Sequence, residues 1–122
     1  MERTAAGLKL QIGERAPYFS LKGTDSKIYS LADFQGANAL IILFTCNHCP
    51  YAQAYESRIV ELAVQGRERG VKFAAICSND PVGYPQDDFA SMVEKSKQLG
   101  YPFPYLSDDT QITARAYDAQ CT

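Results

Sequence analysis

An α/β domain is what this 122-residue chain predicts, and three segments carry the prediction. The run Ala39-Leu40-Ile41-Ile42-Leu43-Phe44 shows no polar alternation, so as a strand it would be buried on both faces, as central parallel strands are. From Pro50 to Arg69, Ala52, Tyr55, Ile59, Leu62 and Ala63 recur at helical spacing, while Glu56, Arg58, Glu61 and Arg67 fall on other faces. Gly70 is a natural stop, and Val71 to Ser78 is a second apolar strand. Together they make a strand-helix-strand unit, for which a right-handed crossover is expected.

Around that unit the remaining elements follow in order. Ala16–Leu21 and Lys27–Ser30 flank the polar connection Lys22-Gly23-Thr24-Asp25-Ser26, which suits a hairpin forming a small antiparallel flap. Leu31 to Phe34 predicts one helical turn closed by Gly36. Asn79 to Pro85 is rich in turn formers and reads as a loop. Pro85 suits a first helical position, and Phe89, Met92, Val93 and Leu99 give the helix behind it an apolar stripe that Gly100 ends. Pro102-Phe103-Pro104-Tyr105-Leu106 supplies only a short strand, since each proline lacks a ladder donor and favours an edge or an end. Asp108 or Asp109 can cap a last helix, Thr110 to Tyr117.

Composition narrows the function classes. With 46% hydrophobic and 21% charged residues the chain is an ordinary globular one, long enough for a single core. Its net charge of -2, with no basic cluster longer than Arg67-Glu68-Arg69, gives no electrostatic reason to expect nucleic acid or an anionic membrane as partner. The longest apolar run, Ala39 to Phe44, is too short to span a bilayer, and the first thirty residues hold no apolar stretch of signal-peptide length. A cytoplasmic location is expected. Cys46, Cys49, Cys77 and Cys121 are too unevenly spaced to resemble a secreted disulfide framework.

Cys46-Asn47-His48-Cys49, directly behind the first apolar strand, is where the chemistry concentrates. Three residues apart at the start of a helix, two sulfurs share a face and can reach bonding distance. Unpaired amides and the positive dipole end favour a thiolate there over a thiol. Cys46 is the candidate nucleophile, Cys49 the resolving thiol, and His48, the single histidine of the chain, a group that tunes both. Pro50 bears on these roles, because a residue preceding proline is biased away from helical angles. If the helix starts at Pro50 with Cys49 as its cap, Cys49 gains more of the dipole.

Other uses of the motif fit less well. A zinc site wants four ligands, where only Cys46, His48, Cys49 and Cys121 could gather, so no metal and no cofactor are expected. Haem attachment needs a histidine directly after the second cysteine, and Pro50 stands there. Cys77, within an apolar strand, reads as an inert core thiol. The pairs Asp87-Asp88 and Asp108-Asp109 read as helix caps rather than as acid–base carboxylates. Tyr51 is a candidate for a substrate groove, whereas packing is the default for Tyr55 and Tyr105.

A buried strand, a Cys-x-x-Cys opening a helix and a second buried strand resemble a thioredoxin-fold protein. More narrowly, Gly13-Glu14-Arg15-Ala16-Pro17-Tyr18-Phe19 and Leu31-Ala32-Asp33-Phe34-Gln35-Gly36 resemble the opening of the peroxiredoxin and thiol-disulfide reductase branch, the AhpC/TSA-redoxin superfamily. Cys46 to Tyr51, with Asp88-Phe89 to Leu106, is similar to a peroxiredoxin-like group within it. The resemblance covers nearly the whole chain and implies a single thioredoxin-like domain over residues 1–122, with an N-terminal β-hairpin extension.

It further implies a thiol-disulfide oxidoreductase acting on protein or small-molecule disulfides. Its substrate contacts would come from Asn47, Pro50, Tyr51 and Thr122, and its reductant would be a thiol such as thioredoxin or glutathione. A thiol peroxidase working through Cys49 is the alternative enzyme, and a non-enzymatic redox-sensing or binding module the third reading. Peroxiredoxins carry a proline seven residues, and a threonine or serine three residues, before the peroxide-attacking cysteine. Here Ile42 and Cys46 hold those places, so the resemblance favours dithiol exchange over efficient peroxide reduction.

Thioredoxin-fold proteins continue into a cis-proline, two antiparallel strands and a helix. This sequence stops at Cys121-Thr122, where that proline would come next, so the C-terminal ββα portion is expected to be missing. The position of Cys121 would bring it near the motif as an extra thiol. Ala39 to Phe44 would then be an exposed apolar edge, which predicts a fragment of a longer protein or a homodimer that covers the strand.

Overall fold

A computed structural model describes residues 10–119, so Cys121 and Thr122 lie outside the described residues. Five strands form one mixed sheet: β1 (Ser20–Gly23), β2 (Ile28–Ser30), β3 (Ala39–Phe44), β4 (Val71–Cys77) and β5 (Tyr105–Ser107), in the spatial order β2-β1-β5-β4-β3. Helices α1 (Pro50–Arg67), α2 (Phe89–Leu99) and α3 (Ile112–Ala116) complete it, with 3-10 turns at Leu31–Phe34 and Pro85–Asp87. β3 and β4 pair in parallel from Ala39 opposite Val71 to Phe44 opposite Ile76, with α1 between them in sequence, as the strand-helix-strand reading requires.

Strand alternation sorts the apolar side chains into two cores. Phe73, Ala75 and Cys77 of β4 join Cys46, Ala63, Met92, Phe103 and Tyr105 on the face that α1 and α2 cover. Ala74 and Ile76 point the other way and pack with Phe19, Phe34 and Leu106. β4 is therefore apolar on both faces for the reason the sequence suggests, since both faces are covered. Glu56, placed on a polar face of α1 by its spacing, is instead buried: Lys95 Nζ of α2 donates to its two oxygens at 3.0 and 3.3 Å, tying the helices together.

Four expectations need correcting. The N-terminal hairpin is not a separate flap, because β1 pairs antiparallel with β5 as well as with β2 and so belongs to the sheet. Gly23 permits this packing: a Cβ there would meet the Tyr29 ring at 2.8 Å. β5 lies inside the sheet, between β1 and β4, and not at its edge. Pro102 and Pro104 both precede its first residue, so no ladder donor is lost, and the Pro104 carbonyl accepts from Ala75 N–H at 3.0 Å.

The third correction concerns β3. It has β4 on one side and ends the sheet among the described residues, so its residues are at most half-buried and Ile41 is exposed. Only the exposed apolar edge expected from the resemblance matches it. Fourth, Pro85 opens a separate 3-10 turn, and α2 starts later, where the Asp88 carboxylate accepts the Ser91 N–H at 2.8 Å. The Ser91 hydroxyl, and after it this N–H, lowers the pKa of the Asp88 carboxyl. Asp87, paired with Asp88 as a cap by the sequence, caps nothing and turns inward.

Candidate active site

Because β3 and β4 run parallel, their C-terminal ends and the loops that follow lie at one end of the sheet, where parallel α/β folds place their sites. The ladder continues one residue past β3, with Thr45 N–H donating to the Ile76 carbonyl at 2.9 Å. Four residues of loop then cross to α1. Pro50 occupies the first helical position and Cys49 the N-cap, with extended φ/ψ of -69° and 121°. The restriction on a residue before proline therefore decides where the helix begins. Cys49, not Cys46, stands at the dipole end.

Cys46 and Cys49 are joined in a disulfide, with Cα atoms 5.9 Å apart. Cys46 is 3% exposed and packs in the α1–α2 core, while Cys49 is half-buried. The Cys49 backbone N–H donates to Cys46 Sγ at 3.2 Å, so the first amide at the helix start is aimed at the first sulfur of the motif. In the dithiol state the same donor would favour a Cys46 thiolate.

Asn47 is fully engaged with the protein. Its N–H donates to Asp87 Oδ1 at 2.6 Å, its Nδ2 to the Gln86 carbonyl at 2.9 Å, and its Oδ1 accepts from the Tyr105 hydroxyl at 2.7 Å. Gln53 Nε2 donates to its carbonyl at 2.9 Å. His48 stacks on Tyr84 with ring centroids 5.3 Å apart and planes inclined by 17°. Its Nδ1 lies 2.6 Å from Asp87 Oδ2, a charge contact without the alignment of a hydrogen bond.

Asp87 is the residue the sequence reading missed. Besides Asn47 and His48 it accepts from Asn79 Nδ2 at 2.7 Å, and its side chain is wholly buried. An aspartate just ahead of a helix looks like a cap, and no spacing rule links it to a motif forty positions away. The one available hint was that the loop carrying it follows β4 and so leaves the same end of the sheet as the motif.

Of the other residues singled out, Pro50 and Tyr51 are exposed at the start of α1. Tyr51 borders an open apolar groove of about 410 Å³ with Leu43, Phe44, Tyr55 and Ile59. Tyr105 is packed as expected, but Tyr55 is exposed, with the Arg58 guanidinium 5.9 Å over its ring. One ligand atom from each of Cys46, His48 and Cys49 falls within a 4.8 Å cluster. With the sulfurs bonded to each other, neither is the thiolate a metal requires.

Cys77 lies beneath the site and is 2% exposed. Burial pushes its thiol up to about 11 from a usual 9.0, the nearby Asp87 charge adding to the effect. Burial raises Tyr105 as well, with Cys77 the next contributor. For Cys77 the fold favours the protonated form, so its contribution to stability is complete below pH 9 and disappears as pH rises through 11. In urea unfolding, wild type should lose on the order of 2 kcal/mol more than Cys77→Ala across that window. Equal slopes for the two proteins would show that this thiol does not titrate as described.

Comparison with known proteins places the chain. A protein from Geobacillus kaustophilus of known structure is 43% identical, with a TM-score of 0.89 over 92% of this chain and 60% of that one. The protein SMc02350 from Sinorhizobium meliloti 1021 is 32% identical, with a TM-score of 0.90 over 93% of this chain and 62% of that one. The chain thus spans about three fifths of the length of these two relatives. A secreted Mycobacterium tuberculosis disulfide oxidoreductase homologous to E. coli DsbE shares the thioredoxin-like fold at 19% identity, with a TM-score of 0.67 over 82% of this chain and 67% of that one.

No curated protein matches. Among the described residues no helix is long and apolar enough to cross a membrane. The family model for AhpC/TSA proteins matches residues 12–122, so the chain, with its disulfide-bonded Cys46–Cys49 pair at the start of α1, belongs to the AhpC/TSA family.

Proposed function

We propose that the protein is a thiol-disulfide oxidoreductase whose dithiol is Cys46 and Cys49. The observation that carries the reading is the amide at the start of α1 directed at Cys46 Sγ, beside a second sulfur already within bonding distance. Cys46 thiolate attacks a substrate disulfide RS–SR, forming Cys46–S–SR and expelling RS⁻, which takes a proton. Cys49 then gives up its proton and attacks Cys46 Sγ, so that the second RS⁻ leaves and is protonated in turn. The balance is one substrate disulfide reduced by two electrons and one protein dithiol oxidised.

His48, with a ring nitrogen within 4.8 Å of both sulfurs, serves as the proton carrier in this reading. The groove beside Tyr51, which has an almost wholly apolar lining, suits the flank of a protein or small-molecule disulfide. Thioredoxin or glutathione would return the electrons, a second copy of the chain would cover the β3 edge, and the compartment would be the cytoplasm.

A thiol peroxidase acting through Cys49 is the second reading. What favours it is that Cys49 is the more exposed residue of the two and holds the N-cap. Stopped-flow oxidation of the reduced protein by hydrogen peroxide and by an aromatic disulfide separates the two. Dithiol exchange requires wild type to react faster with the disulfide and Cys46→Ser to lose the reaction. If Cys46→Ser still consumed peroxide at the wild-type rate, the peroxidase reading would replace it. Failure of both oxidants to close the Cys46–Cys49 bond would leave a non-enzymatic module.

A further inference from the structure

We propose that Asp87 is a positioning residue of the dithiol site: its buried carboxylate fixes the motif loop and the His48 ring so that the imidazole carries the proton from the resolving thiol to the departing thiolate. The inference rests on the dithiol reading above and adds a residue to it from a different element. A buried carboxylate is costly unless charges and donors surround it. Here the donors identify its task. Oδ1 takes the N–H of Asn47, between the cysteines, and Oδ2 faces His48 Nδ1 and takes Asn79 Nδ2.

The turn presenting it is built for the purpose. Tyr84 N–H donates to the Asp80 carbonyl at 2.8 Å, and Asp87 N–H to the Tyr84 carbonyl at 2.9 Å. The Tyr84 ring stacks on the imidazole whose Nδ1 the carboxylate faces. Helix capping does not account for Asp87, because Asp88 performs it.

With Oδ2 2.6 Å from Nδ1, a small turn of the imidazole would bring the pair from charge contact into hydrogen-bond alignment, holding a proton on Nδ1 of the neutral ring and leaving the Nε2 lone pair to accept another. A ring nitrogen lies within 4.8 Å of both sulfurs, within reach directly or through one water. The proton taken from Cys49 Sγ in the second step is then the one returned to the leaving RS⁻, so the ring ends the cycle as it began.

The test is resolution of a mixed disulfide in the full chain carrying Cys121→Ser. The reduced protein is mixed with one equivalent of an aromatic disulfide, so that the first coloured thiolate reports attack and the second reports resolution. In Asp87→Asn the first release should stay within about threefold of its parent and the second slow by about tenfold or more. His48→Ala should do the same. The double variant should be no more than about threefold slower than either, since both residues act as one unit.

A second release unchanged in Asp87→Asn, or effects that multiply in the double variant, would overturn the assignment. Should Asp87→Asn prove unfolded by circular dichroism, nitrogen-15 spectra of the wild-type imidazole decide instead: a neutral-ring proton on Nδ1 is required, and one on Nε2 overturns the proposal. Absence of any second release from the parent would sink the dithiol reading itself, a result distinct from the failure of Asp87.

Discussion

Cys49→Ser should stop turnover while leaving Cys46 covalently attached to half of its substrate, and Cys46→Ser should stop turnover with no adduct. Each loss is expected to reach about 10³-fold or more, because removal of either thiol deletes a bond-forming step and not just a contact. Two features of the site press in opposite directions on the order of events. The amide at 3.2 Å favours charge on Cys46, whereas exposure favours approach to Cys49. A thiolate must form before it can attack, and its rate rises with thiolate fraction.

The donor is therefore weighted above static exposure, and Cys46 is assigned the first attack. Intact mass spectrometry of each serine variant after exposure to an aromatic disulfide reads the answer directly. Under the assigned order, Cys49→Ser gains the mass of one aromatic thiol at Cys46 and keeps it. If Cys46→Ser gained it instead, at Cys49, the roles would be reversed and the N-cap position, not the directed amide, would govern the chemistry.

The parts of this site that were legible in the sequence are those set by local geometry. Period 3.6 marked α1, continuous apolar runs marked β3 and β4, and Pro50 contained the information that Cys49 would lie outside the helix. The illegible parts are settled by neighbours distant along the chain. An unbroken apolar run looks the same whether two strands flank it or one, so β3 read as doubly buried although it ends the sheet. Similarly, two prolines ahead of Tyr105 suggested an edge strand, but their place before the ladder left every donor of β5 intact for β4 and β1. For Asp87, local sequence pointed to the wrong partner: Asp88 next to it satisfies the helix, and only the approach of two loops from adjacent parallel strands shows what Asp87 accepts.

Asp108→Ala should destabilise the fold by about 3 kcal/mol, more than any surface substitution would. The side chain is 1% exposed and accepts three donors: Ser78 Oγ at 2.6 Å, Thr113 N–H at 3.1 Å and Ala114 N–H at 2.9 Å. α3 has five residues, too few to persist on hydrogen bonds of its own, and its N-cap Gln111 supplies no side-chain bond. Asp108 thus caps the helix from a position three residues upstream and joins it to the loop after β4. An alanine would leave two helix-start amides and a hydroxyl without partners, at roughly 1 kcal/mol or more each.

Asp108→Asn keeps one acceptor oxygen and should cost about half as much. The loss would reach further than α3. The Tyr117 ring packs 5.9 Å from Phe44 at the end of β3, and its hydroxyl donates to the Pro17 carbonyl at 2.7 Å, so the strand leading into the motif leans on the same helix. Urea unfolding of the three proteins provides the comparison. A cost below about 1 kcal/mol for Asp108→Ala would mean that water replaces these bonds readily, and that α3 is held by the Tyr117 contacts and not by its buried carboxylate.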